Sequence, residues 1–303
     1  MKYENYKIIV DPEYGYRRLD PMPTKEELDE FYCSKYYDLV AAGGRAPELG
    51  RLIQGGEEAT AELTWLSQTL WQDILDILNE LCKSETEPLW LLDMGCGTGH
   101  FAHYMQKAGW KVIGVEPAKE AAEIARSLGL TVFSSVAECC SVVNQRFNVV
   151  TLLNVLEHVP DAAALLGSLL PLIEDKSIIV VRVPNDFSAI QECAHKKMGG
   201  RPWWIAIPDH VNYFNFDSLV QFLERLNFQV VDMLGDFPME IFLLFGDVYV
   251  GNPRVGSQCH KKRIAFELSL PPELRRNLYR CLARVGMGRD CTVFAKASLS
   301  PRK

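Results

Sequence analysis

Asp93 closes a short apolar run, Leu91-Leu92, and stands directly ahead of Met94-Gly95-Cys96-Gly97-Thr98-Gly99, in which glycines recur at every second position. Glycine has no Cβ, so Gly95 and Gly97 let the backbone take positive φ and leave no side chain between the chain and a ligand. A carboxylate just before such a turn accepts hydrogen bonds and favours a cationic ligand group. The next apolar run, Val112-Ile113-Gly114-Val115, ends at Glu116, placed to accept two hydrogen bonds from ribose hydroxyls. Asp93, Gly95, Cys96, Gly97, Gly99, Glu116 and Pro117 thus form a candidate nucleotide-type site.

Glycine-rich turns followed by an acid also mark dinucleotide sites. Here the glycines fall as G-x-G-x-G and not G-x-G-x-x-G, and an acid ahead of the turn would sit poorly beside a pyrophosphate. S-adenosylmethionine, whose methionine part brings an ammonium group, fits that acid better.

Two histidines are candidate general bases, because neutral imidazole is available near pH 7. His158 follows an apolar run at a sheet edge, where open α/β folds bind ligands. It is either that base or a structural residue before Asp161. His210 precedes Tyr213-Phe214 and is either a base or an anchor for its loop. Tyr36, Tyr37, Trp203, Trp204 and Tyr213 are candidates for an acceptor pocket, since aromatic faces stack on sugars or planar rings. Arg182, Lys196, Lys197 and Arg201 form a basic group suited to a phosphate or carboxylate, or else a solvated face. His100 and His103 are three apart with no third ligand in sight, so no metal is expected.

These residues must be held by strands and helices that the sequence also spells out. From Leu89 onward short apolar runs alternate with helical patterns, the form of a parallel sheet covered on both faces. Strands are predicted near 89–94, 111–116, 130–134, 147–153, 177–183, 228–234 and 291–297, and helices near 99–108, 118–128, 160–173 and 217–226, the last N-capped by Asp217. Before Lys83, Thr24 and Glu27 form a capping-box pattern, and apolar residues from Leu63 to Leu81 recur with helical spacing, predicting one long amphipathic helix after a loop-like 41–56. Residues 1–84 are therefore expected to be a helical accessory region and 85–303 the catalytic domain, with insertions near 187–209 and 235–287 that read as lids or binding loops.

The stretch Leu-Asp-Met-Gly-Cys-Gly-Thr-Gly resembles the first motif of the class I S-adenosylmethionine-dependent methyltransferases. Val115-Glu116-Pro117, Phe147-Asn148-Val149-Val150 and Asn154-Val155-Leu156-Glu157-His158-Val159 extend the likeness over roughly 89–234. Similar members include ubiquinone-type O-methyltransferases and sugar and natural-product methyltransferases. Asp209-His210-Val211-Asn212-Tyr213-Phe214 is close to a His-x-x-Tyr-Phe stretch of one subgroup. Asn148 departs from the Asp common in the family and is expected to preserve a hydrogen-bonding turn. The resemblance implies a Rossmann-like α/β fold with a mostly parallel seven-stranded sheet, and cofactor contacts from Asp93, Gly95, Gly97 and Glu116. It also implies that Val136, Ala137 and Glu138 lie beside the adenine and Asn154 beside the methionine portion.

Methyl transfer from a sulfonium is an in-line displacement, so positioning of donor and acceptor is expected to outweigh proton removal. The preferred acceptor is a small molecule bearing a sugar, polyketide-like or quinone-like hydroxyl. A non-catalytic S-adenosylmethionine-binding or assembly protein and an NAD-dependent oxidoreductase are the alternatives. A net charge of −7 gives no general reason to bind nucleic acid or an anionic membrane. The N-terminus lacks a secretory pattern, which points to the cytoplasm, and a homodimer is allowed. The nine cysteines hold no C-x-x-C pair and read as buried free thiols. Phe237 to Val250 is too short and too charged to span a bilayer and reads as a buried segment.

Overall fold

Runs of Val, Ile and Leu without polar alternation cannot face water on either side. The predicted runs near 89–94, 147–153, 177–183 and 291–297 are strands buried on both faces, whereas the strand at 228–234 exposes one. The computed structural model describes residues 5–31, 50–51, 55–85 and 88–299. Its main sheet contains β3 (Trp90–Met94), β4 (Lys111–Val115), β5 (Thr131–Phe133), β6 (Phe147–Leu153), β7 (Ile173–Pro184), β9 (Phe228–Leu234) and β10 (Asp290–Ala297). The strand order is β5-β4-β3-β6-β7-β10-β9, with only β10 antiparallel to its neighbours. This is the class I methyltransferase topology expected above. A second, antiparallel sheet joins β1 (Lys7–Val10), β2 (Arg17–Asp20) and the two-residue β8 (Asn212–Tyr213).

Adjacent residues of each strand serve opposite cores, as the two-residue period requires. Leu92, Val150, Ile179 and Val293 pack with α7 (Ala162–Leu169) and α9 (Phe216–Arg225). Leu91, Val149, Val180 and Phe294 pack with α3 (Leu70–Leu81), α4 (His100–Lys107), α5 (Lys119–Ser127) and α12 (Pro272–Arg284). The accessory region is therefore not detached, because Trp71, Ile74 and Leu78 of α3 belong to the second core.

Several expectations are corrected. The long amphipathic helix is two, α2 (Gly56–Gln68) and α3, broken at Thr69, whose hydroxyl donates to the Trp65 carbonyl at 2.7 Å. A side chain bonding back onto the preceding turn competes with the regular ladder. The N-cap of α9 is Asn215 and not Asp217: its side chain accepts from Ser218 N at 2.9 Å while Ser218 Oγ accepts from Asn215 N at 3.0 Å. The N-terminal region holds β1 and β2 besides helices; α1 (Lys25–Phe31) does begin with the reciprocal Thr24–Glu27 box. Phe237 to Val250 is not buried throughout, since Phe245 on α10 (Glu240–Phe245) is 80% exposed. Cys82, Cys139, Cys259 and Cys291 are buried free thiols, whereas Cys140, Cys193 and Cys281 are exposed. Most of 41–56 lies outside the described residues.

The two excursions are structured. The first contains α8 (Ala189–Met198), and the second contains α10, α11 (Pro253–Ser269) and α12. No helix of the described residues is long and apolar enough to cross a membrane.

Candidate active site

The turn after β3 takes the left-handed conformations that its glycines allow: φ is 66° at Gly95, 52° at Gly97 and 79° at Gly99. A Cβ on Gly95 would lie 2.7 Å from Val155 Cγ2, and one on Gly99 would lie 2.7 Å from Ala125 Cβ, so both are fixed by packing. Gly97 is different: a Cβ there would meet no atom of the described chain within 4 Å. Gly97 therefore borders open space. Cys96 turns its sulfur toward Gly114, so what it can offer a ligand is backbone.

Both acids of this edge are buried. Asp93 Oδ1 accepts from Thr151 Oγ1 at 2.6 Å, across the β3–β6 pairing. Burial pushes the Asp93 carboxyl up to about 7; the Thr151 hydrogen bond opposes this and the charge of Glu116 adds to it. Glu116 receives backbone N–H groups on both oxygens, from Gly97 at 2.9 Å and Ala118 at 2.8 Å. Pro117 follows it at the surface. Val136 and Ala137 begin α6 (Val136–Val142), which is capped by Ser135 at the end of the neighbouring β5. Asn148 Oδ1 accepts from Trp90 N at 2.8 Å, a bond across to β3 and not the turn expected from the sequence.

Asn154 sits just beyond β6 at φ 59°. Its amide donates to Glu157 Oε1 at 3.1 Å and its carbonyl accepts from Arg182 Nη1 at 2.8 Å. The structure brings the two candidate bases together, with the rings of His158 and His210 5.0 Å apart and nearly perpendicular. Two backbone bonds to the Glu157 carbonyl, from Val211 N at 2.8 Å and Asn212 N at 3.2 Å, knit their loops. Asn212 Nδ2 adds bonds to the carbonyls of Leu156 and Val159 at 2.9 and 2.7 Å.

The two imidazoles differ in environment. His158 Nδ1 lies 3.0 Å from the Asp209 carbonyl and 3.2 Å from its carboxylate, and Nε2 is 3.9 Å from Glu157. Burial pulls the His158 pKa down, but the Asp209 hydrogen bond and the charges of Glu157 and Asp209 prevail and raise it to about 9. The two acids beside it thus favour the charged form of His158. His210 lies 4.0 Å from Asp209 and faces the ring of Tyr213. Glu157, His158 and His210 also place one ligand-type atom each within 4.8 Å of one another.

A cavity of about 650 Å³ extends from Asp93, Gly95 and Cys96 past Asn154, His158 and His210 to the helices of the second excursion. Trp203 and Trp204 line it, at 4.9 Å and nearly perpendicular. Tyr213 does not: it is buried with Leu19, Leu28 and Val211 in the core under the small sheet. Tyr36 and Tyr37 lie outside the described residues. The expected basic group is dispersed, because Arg182 is bound to Asp236 at 3.3 Å and Asp290 at 2.6 Å while Lys196 and Arg201 are exposed on and after α8.

Sequence reasoning missed Thr151, Asp186, Asp209 and Glu240. Asp209 stood in the quoted Asp-His stretch; Thr151 is identifiable only from the strand register that sets it beside Asp93. The far wall of the cavity is a buried ionic network. Arg263 joins Asp236 at 2.9 Å and Glu267 at 3.1 Å, and Glu267 also accepts from Trp65 Nε1 at 2.6 Å and Tyr279 OH at 2.5 Å. It ties α2, α11 and α12 to the end of β9.

A family model described as a methyltransferase domain matches residues 67–233. The chain belongs to this family, that of the class I S-adenosylmethionine-dependent methyltransferases. Curated relatives include the ubiquinone biosynthesis O-methyltransferases of Alkalilimnicola ehrlichii, 37% identical over 90 residues, and of Vibrio vulnificus, 37% identical over 91 residues. These matches cover 27% and 28% of this chain but only 36% and 39% of those proteins, so the chain matches little more than a third of their length. The solved plantazolicin methyltransferase BpumL, in complex with SAH, is similar in fold with a TM-score of 0.51 at 15% identity, over 89% of this chain and 94% of that one.

Proposed function

We propose that the protein transfers a methyl group from S-adenosylmethionine to a small-molecule acceptor held in the cavity beyond Asp93. The observation that carries this reading is the joining of the glycine turn to the second acid: Glu116 holds Gly97 N–H, and the buried Asp93 carboxylate lines the same cavity as Gly95 and Cys96 of that turn. S-adenosylmethionine supplies an electrophilic methyl on a positively charged sulfur. Asp93 holds the amino group, Glu116 the ribose, Val136 and Ala137 flank the adenine, and Asn154 orients the methionine portion.

The remaining residues act on the acceptor. Trp203 and Trp204 give it an apolar wall that excludes water, which favours in-line alignment. His210 takes the proton from the acceptor atom as it attacks. His158, already protonated between Glu157 and Asp209, holds the ring of His210 in place and is not the base itself. The protein works in the cytoplasm, as a monomer or a homodimer.

The test is transfer of label from methyl-labelled S-adenosylmethionine to a panel of small hydroxyl and amine acceptors. Labelled product that disappears in His210→Ala, with cofactor binding retained, is the expected result. Full transfer by that variant contradicts the assignment of the base, and absence of transfer to every acceptor contradicts the activity.

A further inference from the structure

Three carboxylates meet at the acceptor end of the cavity, from three separate elements. Glu157 follows β6, Asp186 follows β7 and Glu240 opens α10. All three line the cavity and all are buried, at 1%, 4% and 4% exposure. Among the described residues each keeps one oxygen without a hydrogen-bond partner: Oε2 of Glu157, Oδ2 of Asp186 and Oε2 of Glu240. Buried carboxylate oxygens normally have partners, so three such oxygens on residues of one cavity call for donors that the described residues do not supply.

Two of the cations on that wall, Arg182 and Arg263, are bound outside the trio. Arg289 and His158 act on Glu240 and Glu157 and leave Asp186 as the acid of the three without an ion pair among the described residues. Arg182 is bound to Asp236 and Asp290, and Arg263 to Asp236 and Glu267. Arg289 acts on Asp290 and Glu240, and His158 lies between Glu157 and Asp209. Asp186 is the extreme case. Burial raises its pKa, and the charges of Glu157, Asp290 and Glu240 raise it further, with only the Gln191 side chain opposing.

We infer that the acceptor of this site is a cation, carrying a protonated amino group seated among Glu157, Asp186 and Glu240; the inference rests on the methyl-transfer reading above. An ammonium has three donors and no acceptor, which matches three unpartnered carboxylate oxygens. A neutral hydroxyl offers one donor and partners only one of the three oxygens. The aromatic faces of Trp203 and Trp204 on the same cavity suit a cation as well.

The experiment is calorimetric titration of the protein, saturated with S-adenosylhomocysteine, with 2-phenylethylamine and with its uncharged counterpart 2-phenylethanol. The amine binds about tenfold or more tightly than the alcohol, the scale of a charge-assisted hydrogen bond, and loses that preference in Asp186→Asn and in Glu240→Gln. Both variants must still bind S-adenosylhomocysteine, which confirms that they are folded. Equal or tighter binding of the alcohol, binding of neither probe at millimolar concentration, or a preference that survives both substitutions overturns the inference. Failure of native protein to bind S-adenosylhomocysteine in the preceding step overturns the methyl-transfer reading instead.

Discussion

The carboxylate of Glu116 accepts the backbone N–H of Gly97 at 2.9 Å, so the end of β4 is fastened to the middle of the glycine turn that follows β3. The acid proposed to hold the ribose thereby also shapes the turn beside it. Glu116→Ala removes both functions: S-adenosylhomocysteine affinity falls by about 10- to 100-fold, and stability by about 1–3 kcal/mol, the cost of leaving buried N–H groups without an acceptor. Calorimetry and denaturant melts measure the two effects. A variant that binds as tightly as native protein contradicts the assignment.

Asp93 gives the site a pH dependence of known sign. Its pKa is raised to about 7 in the folded protein, so the stabilisation by its protonated form is complete below the unfolded value and is lost as pH rises through about 7. Binding an ammonium requires the ionised form. Affinity for S-adenosylhomocysteine therefore weakens by about tenfold per pH unit below about 7. In Asp93→Asn that dependence disappears, affinity drops, and the ligand-free protein melts no earlier than native protein at about pH 8. Equal pH profiles for the two proteins would exclude Asp93 as the source.

The glycines of the turn separate stability from binding. Gly95→Ala forces a Cβ to 2.7 Å from Val155 at φ 66°, and costs about 1–3 kcal/mol of stability. Gly97→Ala meets only open space, although at a positive φ, so it folds at a cost of about 1 kcal/mol and loses cofactor affinity. Thermal melts with and without S-adenosylhomocysteine distinguish them. Retention of full ligand-induced stabilisation by Gly97→Ala contradicts the open-side reading.

His158 is predicted to stabilise the fold as a cation. With its pKa raised to about 9, that contribution is fully present below about 6.5 and is lost as pH rises through about 9. The stability gap between native protein and His158→Gln should therefore be largest in mild acid and close in alkali. Denaturant melts at both ends of that range measure it, and a gap that widens with pH refutes the charged state.

Much of this site was legible before the structure. Strands buried on both faces announce themselves as unbroken apolar runs, and the turn after β3 is written in its glycines. Asp93, Glu116 and Asn154 follow because a parallel sheet places strand ends side by side. What was hidden depends on distant contacts. Thr69 breaks a helix whose apolar spacing continues across it, because a hydroxyl bond back to Trp65 acts locally against the pattern. The helices after residue 235 carry Arg263, Glu267 and Arg275 inward to meet Asp236, Trp65 and Asp73, so these charges are core residues, which only long-range contacts reveal. Asp186 and Glu240 gain meaning only from the cavity that brings them beside Glu157. Tyr213 shows the opposite error: an aromatic residue in a suggestive motif supports the small sheet and does not line the cavity.

The central claim is the donor site, and titration of native protein with S-adenosylhomocysteine, with NADH as the control ligand, tests it most directly. The account predicts micromolar binding of S-adenosylhomocysteine and none of NADH. Folded protein that ignores S-adenosylhomocysteine, or that binds NADH in its place, contradicts it.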